Sequence, residues 1–223
     1  MKWVILIPKM QKHFSTFRRK QIDMREEKND VFVYEYHDGL YINPTNRCTN
    51  NCVFCLRNDK SGVGGHELWL DKEPSSEEII FELQKYSKPK MITFCGYGEP
   101  MIRLDIIKEV SLFAKENRVK IKVDTNGQAN MIHNRDILPE LIGLVDIFSI
   151  SLNTDNSKDY RDTCKSKYGE NAYKNIIDFA KKSVEYGFET ILTVVDFIGQ
   201  KKIESCKKIA KNIGAGFRVR HMS

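Results

Sequence analysis

The sequence predicts an α/β fold in which helices alternate with the strands of one mostly parallel sheet. Three observations support this fold class. From residue 31 onward, short apolar runs of strand length alternate with longer amphipathic segments of helical periodicity. The strand-like runs are almost continuously apolar, as expected of parallel strands that are covered on both faces. Polar turn motifs follow several of these runs, at the sheet edge where parallel α/β proteins gather their ligands.

The first expected elements are a β-hairpin and a long loop. Residues 31–36 and 39–43 are strand-like and flank Asp38-Gly39, a pair that is typical of tight hairpin turns. The second of these strands leads directly into a loop that contains three cysteines. This loop continues through a glycine-rich stretch at residues 62–65.

Helices and strands alternate over the rest of the chain. Two of the helices end just before Gly187 and Gly214, which fits the preference of glycine for the position after a helix. The expected helices cover residues 75–86, 104–117, 171–186 and 202–213. Residues 132–142 are expected to contain a short helix that is interrupted or bent at Pro139. The expected strands cover residues 91–95, 119–123, 145–152, 189–195 and 217–220. Together with the strand before the cysteine loop, these elements make six βα units. Periodicity alone does not distinguish an open sheet from a partial barrel.

Length and composition predict one globular domain in a reducing compartment. The chain has 223 residues, of which 41% are hydrophobic, enough for one sizeable core. The apolar run at residues 3–7 is shorter than the core of a signal peptide and far below the ~18 residues of a membrane span. We therefore expect a cytoplasmic protein without a membrane segment, whose six cysteines are thiols or metal ligands.

The positive charge is concentrated at the N-terminus. The chain carries a net charge of +6, and residues 1–30 hold eight Lys and Arg against four Asp and Glu. We interpret residues 1–30 as a basic, solvated extension and residues 31–223 as the folded domain. A basic arm of this kind also allows a nucleic-acid-binding function, which is the non-enzymatic alternative.

Cys48, Cys52 and Cys55 are the strongest functional signal. They follow a strand with the spacing C-x3-C-x2-C, which fits a loop wrapped around a polynuclear metal centre. Thiolates are the usual protein ligands of iron–sulfur clusters. Three cysteines leave one iron of a four-iron cluster open, and an open iron can bind a further molecule.

Other interpretations of the three cysteines remain open on the spacing alone. A zinc ion held by the three thiolates and a histidine such as His66 would form a closed tetrahedral site. A ferredoxin-type cluster would need a fourth nearby cysteine, and residues 56–94 contain none. A disulfide framework fits poorly with a chain of this size that lacks a signal peptide.

Three polar motifs follow successive strands. Cys95-Gly96-Tyr97-Gly98-Glu99-Pro100 follows the strand at 91–95, and Asp124-Thr125-Asn126-Gly127 follows the strand at 119–123. The strand at 145–152 runs into Ser149-Ile150-Ser151-Leu152-Asn153. Because the carboxyl ends of parallel strands share one edge of the sheet, we expect these side chains to meet near the cysteine loop.

The cysteine spacing and these ordered motifs together resemble the radical S-adenosylmethionine (radical SAM) enzymes. The stretch 96–99 is similar to the family's Gly-Gly-Glu element, with Tyr97 inserted, and Thr125-Asn126-Gly127 is similar to its Thr-Asn-Gly element. The resemblance covers roughly residues 31–220 and implies a partial (β/α)6 TIM-like barrel. Fuller strings, such as Phe-Cys-Gly-Tyr-Gly-Glu-Pro at residues 94–100, look like the branch of TatD-family-associated radical SAM proteins.

The resemblance implies one 4Fe-4S cluster on Cys48, Cys52 and Cys55, with S-adenosylmethionine bound beside it. It assigns the methionine amino group to the Gly-Gly-Glu element and the adenine to the neighbourhood of an aromatic residue before the third cysteine. Small polar groups at strand ends suit the ribose or the carboxylate. The implied cofactor-binding residues are Phe54, Gly96, Gly98, Glu99, Pro100, Thr125, Asn126, Ser151, Asn153 and Asp196.

The implied activity is reductive cleavage of S-adenosylmethionine to a 5′-deoxyadenosyl radical, which abstracts hydrogen from a substrate. The electron would come from a donor such as flavodoxin or ferredoxin, and association with a TatD-type nuclease is a further expectation. Narrower alternatives are a glycyl-radical-enzyme activase and an enzyme like 7-carboxy-7-deazaguanine synthase. The non-enzymatic alternative, a zinc- or cluster-stabilised nucleic-acid-binding module, leaves the strand-end motifs unexplained.

The substrate is expected to be anionic, because several cations fall in loops that follow strands. The stretch 62–70 is a candidate lid, in which Trp69 and Leu70 would cover the site. Cys95 and Cys206 are expected to be core residues. The candidate substrate-side residues are Arg103, His133, Arg161, Cys164 and Lys165.

Overall fold

The computed structural model describes residues 30–37, 39–58 and 62–221. The basic extension expected at residues 1–30 lies outside these ranges except for its last residue. Seven strands form one sheet: β1 (Val33–Tyr36), β2 (Gly39–Ile42), β3 (Met91–Phe94), β4 (Lys120–Thr125), β5 (Ile147–Ser151), β6 (Glu189–Val195) and β7 (Gly216–Arg220).

The strands lie in the sheet in the order of the sequence, from β1 to β7. β1 and β2 form an antiparallel hairpin, and β2 to β7 are all parallel to one another. Since β1 and β7 are at opposite edges, the sheet is open. The predicted α/β fold, with a hairpin whose second strand is the first of six parallel strands, is confirmed.

Within the described ranges, six α-helices connect the parallel strands. They are α1 (Ser76–Leu83), α2 (Leu104–Glu116), α3 (Ala129–His133), α4 (Ser157–Cys164), α5 (Asn171–Glu185) and α6 (Gln200–Ile213). Short 3₁₀ turns cover Leu56–Asn58, Pro100–Arg103, Leu138–Leu141 and Asp196–Ile198. No helix in the described ranges has the length and apolarity needed to span a membrane.

Two helical regions differ from the prediction. The short helix expected within 132–142 lies earlier, as α3, because Asn134 adopts a left-handed conformation that ends it. Pro139, where an interruption was expected, lies in a separate 3₁₀ turn. Helix α4 was not predicted. Only Tyr160 and Cys164 of its eight residues are buried, so its sequence carries almost no helical apolar periodicity.

The two faces of the sheet have opposite chemical character. One face packs against the helices through fully buried side chains that belong to a single core cluster: Ile92, Phe94, Ile121, Val123, Phe148, Ile150, Leu192 and Val194. Because side chains alternate along a strand, the intervening residues point to the other face. That face carries Tyr41, Thr93, Lys122, Asp124, Ser149, Ser151, Thr193, Arg218 and Arg220.

Strand register brings the polar residues of this second face into rows. Lys122 pairs with Thr93 across β3 and β4, and Asp124 pairs with Ser149 across β4 and β5. Thr193 of β6 pairs with Arg218 of β7. The face of the sheet that is not covered by helices is therefore polar, unlike a packed apolar barrel core. This face provides the wall of a binding site.

Candidate active site

Two adjoining cavities lie on the polar face of the sheet. The large cavity has a volume of about 540 Å³ and the small cavity a volume of about 150 Å³. Both are lined by residues from strand ends and from the cysteine loop, residues 46–58. The residues that line both cavities are Cys52, Phe54, Cys95, Gly96, Asp124 and Arg220.

The three motif cysteines are distributed over the two cavities. Cys48 and Cys52 line the small cavity, whereas Cys52 and Cys55 line the large cavity. The backbone N–H of Asn50 lies 3.4 Å from Cys48 Sγ, and Arg57 Nε lies 3.2 Å from Cys55 Sγ. Donors to sulfur of this kind stabilise thiolates, which is the form that binds metal.

Burial opposes ionisation of these thiols in the absence of metal. Burial, together with the nearby Glu99 carboxyl, raises the pKa of Cys48 to about 11. The Arg57 guanidinium acts in the opposite direction on Cys48. A metal centre would therefore have to displace protons when it binds, and Arg57 offsets part of the negative charge that results.

The cysteine loop is fastened to the C-terminal end of α4. The backbone N–H groups of Asn51 and Val53 donate to the carbonyls of Cys164 and Thr163, both at 3.0 Å. These carbonyls belong to the last turn of the helix, where they have no intrahelical partner. The helix that sequence reasoning missed is thus the support on which the loop rests.

A buried polar network centred on Gln128 holds the other side of the loop. The Gln128 amide oxygen accepts from Thr49 Oγ1 at 2.8 Å and from Ser166 Oγ at 3.0 Å. Its amide nitrogen donates to Asn50 Oδ1 at 2.8 Å and to Tyr160 Oη at 3.0 Å. Gln128 is fully buried, and its side chain joins the β4–α3 turn to the loop and to α4.

Glu99 is a buried carboxylate that joins two strand-end motifs. It accepts from the Thr125 hydroxyl at 2.7 Å, from Asn126 N–H at 2.6 Å and from Met101 N–H at 3.0 Å. Burial raises the pKa of Glu99 to about 7, although these three hydrogen bonds favour the ionised form. Its carboxyl group lines the small cavity together with Cys48.

Asn126 links the same motif to the cysteine loop. Its side-chain N–H₂ group donates to Thr49 Oγ1 at 2.8 Å and lies 4.0 Å from Cys48 Sγ. Its side-chain oxygen accepts from the Gln128 N–H, which fixes the turn after β4. Glu99, Thr125 and Asn126 are therefore one hydrogen-bonded unit beside the first cysteine.

Gly96 and Gly98 are required by close packing between backbones. A Cβ on Gly98 would lie 2.2 Å from the carbonyl oxygen of Thr45 and 2.6 Å from that of Arg47. A Cβ on Gly96 would lie 2.0 Å from Asn43 Oδ1. Both glycines let the β3 end approach the chain just before the cysteine loop, and both also line the small cavity. Pro100 is buried in the following 3₁₀ turn.

Ser151 and Asn153 line the small cavity from the end of β5. Ser151 Oγ accepts from Arg220 Nη2 at 2.9 Å. Asn153 is buried with a left-handed backbone, and its N–H₂ group donates to Cys164 Sγ at 3.6 Å. Its side-chain oxygen is buried and has no partner among the described residues. An unpaired buried acceptor is unfavourable by about 1–3 kcal/mol, so this atom suits a donor on a bound molecule.

Phe54 and Asp196 lie on the same side of the site but have different contacts. Phe54 lines both cavities, and its ring packs against Phe197 with centroids 4.9 Å apart. Asp196 faces outward and accepts from His221 Nδ1 at 2.9 Å. Asp196 lines neither of the two cavities, whereas His221 lines the large one.

Four predicted substrate-side residues are not brought to the cavities. Arg103 forms an ion pair with Glu73 and donates to backbone carbonyls. His133 Nε2 lies 2.7 Å from the carbonyl oxygen of Met101. These contacts use the polar groups of both residues to tie loops together.

The other two lie on the outer surface of α4. Arg161 is exposed and pairs with its neighbour Asp162. Lys165 caps α4 in a left-handed conformation, and its residue is exposed. Only the first few positions after a strand remain at the sheet edge. Residues farther along the same connection, beyond the start of a helix, therefore lie away from the cavities.

Cys164, the fifth of these residues, is fully buried beneath the cysteine loop. Its sulfur lies within hydrogen-bonding reach of Cys52 and of Asn153. It lines neither cavity, so it is separated from a substrate by the loop itself. Cys206 is buried in the core as expected, whereas Cys95 lies at the cavity wall.

The residues that sequence reasoning missed are charges inside strands. Lys122 and Asp124 on β4, and Arg218 and Arg220 on β7, line the large cavity. Lys122 Nζ lies 2.9 Å from Asp124 Oδ1. The detectable signal was the alternation of charged and apolar residues in strands that are covered by helices, since a charge at such a position needs a polar environment.

The segment expected to form a lid packs against the hairpin and the chain after β2. Asn43 donates to the carbonyl of Leu68 at 2.7 Å, and the Asn46 side chain pairs with both backbone groups of Leu70. Leu68 and Leu70 are buried, and the Trp69 ring contacts Tyr97 edge-on with centroids 5.5 Å apart.

A zinc site with His66 is not assembled. The His66 ring packs against Tyr34 with centroids 5.6 Å apart. Over residues 30–37, 39–58 and 62–221, no three His, Cys, Asp or Glu side chains converge closely enough to hold one metal ion. Three thiols spread around two adjoining cavities fit a larger, polynuclear group, and the unpaired Asn153 oxygen fits a polar molecule beside it.

Comparison with known proteins gives a family match over most of the chain. Residues 42–210, from the end of β2 into α6, match the profile described as the Radical SAM superfamily. An uncharacterised protein of Methanocaldococcus jannaschii is 25% identical over 146 residues, which is 64% of this chain and 43% of that protein. The chain thus spans less than half the length of the curated relatives that it matches.

Solved structures share the fold. Streptococcus suis SuiB bound to its precursor peptide SuiA is similar with a TM-score of 0.58 and 17% identity, over 82% of this chain and 39% of that chain. A structure of TYW1 with a lysine–pyruvate adduct bound is similar with a TM-score of 0.59 and 17% identity, over 90% of this chain and 71% of that chain. At these identities the likeness concerns the backbone architecture.

Proposed function

This chain belongs to the radical SAM superfamily, and from that premise we propose that it cleaves S-adenosylmethionine at one 4Fe-4S cluster and abstracts hydrogen from a substrate in the large cavity. Cys48, Cys52 and Cys55 would hold the cluster. The observation that carries the proposal is that all three thiols face two adjoining cavities rather than one closed metal site. One cavity would take the cofactor and the other the substrate.

If bound there, the cluster and S-adenosylmethionine would supply a 5′-deoxyadenosyl radical by one-electron cleavage of the sulfonium. The residues of this chain position the reactants. Phe54 lines both cavities and packs against Phe197, so it offers an apolar ring at their junction that suits a purine ring.

Glu99 is the proposed acceptor for the ammonium group of S-adenosylmethionine. Its three internal hydrogen bonds fix the carboxylate at the small cavity before any ligand arrives. A cation bound there would lower the pKa of Glu99 from about 7, so binding and ionisation would reinforce each other. Thr125 and Asn126 hold this carboxylate in place.

Asn153 and Ser151 are the proposed partners of the cofactor's hydroxyl and carboxylate groups. The Asn153 side-chain oxygen is a buried acceptor without a partner among the described residues, and a ribose hydroxyl would satisfy it. Arg220 bonds to Ser151 and lines both cavities, which suits the carboxylate end of the cofactor. Gly96, Gly98 and Pro100 shape the backbone around these groups. Asp196 would act indirectly, by holding His221, which lines the large cavity.

The direct test is anaerobic reconstitution with iron and sulfide. We expect about four irons per chain and formation of 5′-deoxyadenosine with dithionite as the electron source. Cys52→Ala should lose both the iron and the cleavage. Cys206→Ala, which removes a buried thiol of α6 that lines neither cavity, is the matched control and should retain both. Wild-type protein that binds iron but never cleaves S-adenosylmethionine would contradict the proposal.

Partners and the finer classification remain predictions. The proposed reaction needs a one-electron donor such as flavodoxin or ferredoxin, and reduced thiols suit the cytoplasm. Association with a TatD-type nuclease, and membership of the branch named for it, rest on the sequence motifs. The activase and the 7-carboxy-7-deazaguanine-synthase-like alternatives have no contact in the described residues that favours either of them.

A further inference from the structure

The large cavity carries an excess of positive charge on its wall away from the cysteine loop. Lys122, Arg218 and Arg220 point into it, against a single carboxylate, Asp124. Building on the proposed function, we propose that Lys122 and Arg218 bind an anionic group of the substrate, either a carboxylate or a phosphate ester. The substrate would be a small molecule with this group at one end.

Lys122 lies in an unusual place for a lysine. It lies in the middle of β4 with only 8% of its surface exposed, and its amino group is 2.9 Å from Asp124 Oδ1. Burying a lysine is unfavourable unless the charge is compensated. Among the described residues, Asp124 forms its ion pair with Lys122, and neither arginine of β7 forms an ion pair.

Arg218 has the donors that an anion needs. Its Nη2 makes one long hydrogen bond of 3.4 Å to Ser149 Oγ, and it forms no ion pair within the described part of the chain. The planar guanidinium presents further N–H groups that match the two oxygens of a carboxylate or phosphate. Arg57, another cation of the cavity wall, already donates to Cys55 Sγ and to the Asn50 carbonyl.

The two arginines of β7 differ in the cavities that they line. Arg220 lines both cavities and bonds to Ser151, so it reaches the proposed cofactor. Lys122 and Arg218 line only the large cavity. An anion at these two residues would therefore belong to a second molecule, not to S-adenosylmethionine.

The opposite wall suits the body of the same substrate. Tyr34 and Tyr41, from the hairpin, stack with ring centroids 5.4 Å apart, and the Tyr34 hydroxyl donates to the Cys95 carbonyl at 3.0 Å. Fixed rings of this kind bind planar or apolar groups. Strand order puts the tyrosines on β1 and β2, and Lys122 and Arg218 on β4 and β7. A bound molecule would therefore lie across the sheet with its anion on the β4–β7 side.

The test uses anions as probes on the reconstituted protein with S-adenosylmethionine bound. Isothermal titration with inorganic phosphate and with benzoate, at constant ionic strength maintained with chloride, separates a phosphate from a carboxylate preference. We expect one of the two to bind in the millimolar range, and Arg218→Gln to weaken it by about tenfold or more. Arg161→Gln, which removes an exposed guanidinium outside the cavities, is the matched control and should bind like wild type.

Binding that is no tighter than that of chloride, or equal affinity in Arg218→Gln and wild type, would overturn the inference. Should Arg218→Gln fold poorly, Arg218→Lys keeps the charge but loses the fork, and we expect it to weaken binding less than the Gln variant would. Cleavage of S-adenosylmethionine by the wild-type protein is measured in parallel. Its absence contradicts the proposed function, whereas cleavage without anion binding contradicts only the substrate assignment.

Discussion

The small and large cavities are built in different ways. In the small cavity the polar groups are fixed by hydrogen bonds within the chain, as in the unit of Glu99, Thr125 and Asn126. In the large cavity, Lys122, Asp124, Arg218 and Arg220 project from strands, and Arg218 makes only one long hydrogen bond to the described residues. In the small cavity both the backbone and the polar side chains are fixed before a ligand binds. In the large cavity only the backbone is fixed.

This difference separates the part of the site proposed to bind the cofactor from the part proposed to select the substrate. A group that must hold the same cofactor in every turnover benefits from partners that fix it before binding. A wall of long side chains on a rigid sheet can be changed by substitution without disturbing the fold. We therefore expect substitutions at the small cavity to affect folding and cofactor chemistry together, and substitutions at the large cavity to affect the substrate.

The largest expected effect comes from Gly98→Ala. The new Cβ would lie 2.2 Å from a backbone oxygen just before the cysteine loop, so the loop must move. We expect iron binding to be lost and cleavage to fall by at least about 100-fold, which corresponds to about 3 kcal/mol. Iron analysis and product chromatography check this. Gly216→Ala, whose Cβ meets nothing closer than 3.5 Å, is the matched control, and an equal effect of both variants would refute the argument.

Gln128→Ala tests whether the network behind the small cavity supports it. The substitution removes four hydrogen bonds from a fully buried side chain and leaves their partners unpaired. We expect the free energy of unfolding to fall by about 3 kcal/mol, measured by urea denaturation. Tyr160→Phe removes only the hydroxyl of the same network and should have an effect of about 1 kcal/mol. Equal stability of Gln128→Ala and wild type would show that the network contributes nothing.

Glu99 gives the small cavity a pH dependence. In the folded protein without cluster its pKa is about 7, above the ordinary value of 4.5, so the folded state binds the extra proton. As pH rises from about 4.5 to 7, the unfolded state ionises first and stability falls, by up to about 3 kcal/mol. Glu99→Gln should flatten this part of the curve. Urea denaturation of the metal-free protein at several pH values measures it, and an unchanged slope would contradict the assignment.

The smallest expected effect on metal content is that of Cys164→Ala. Cys164 touches Cys52 from beneath the loop but lines neither cavity, so it is not expected to be a cluster ligand. We expect the variant to keep about four irons per chain, with stability lower by about 1 kcal/mol. Iron analysis beside the Cys52→Ala variant provides the check. Loss of iron in both variants would mean that the cluster has a fourth cysteine ligand.

The sequence predicted the small cavity far better than the large one. The superfamily assignment made from the motifs is confirmed, and the residues at the first positions after β3, β4 and β5 do meet the cysteine loop. Arg103, His133, Arg161 and Lys165 also follow strands, but each lies far enough along its connection to be engaged elsewhere. Lys122 and Arg218 lie within strands, where the strand-end pattern gives no signal.

The chain's own pattern determined the alternation of strands and helices, the cysteine loop and the strand-end motifs, because these depend on neighbouring residues. The tertiary structure decided which faces meet. It placed α4 under the loop, brought Gln128 to Tyr160, and turned the alternate residues of β4 and β7 toward one cavity. Those contacts join residues far apart in the sequence, and only the register and curvature of the sheet fix the distances between them.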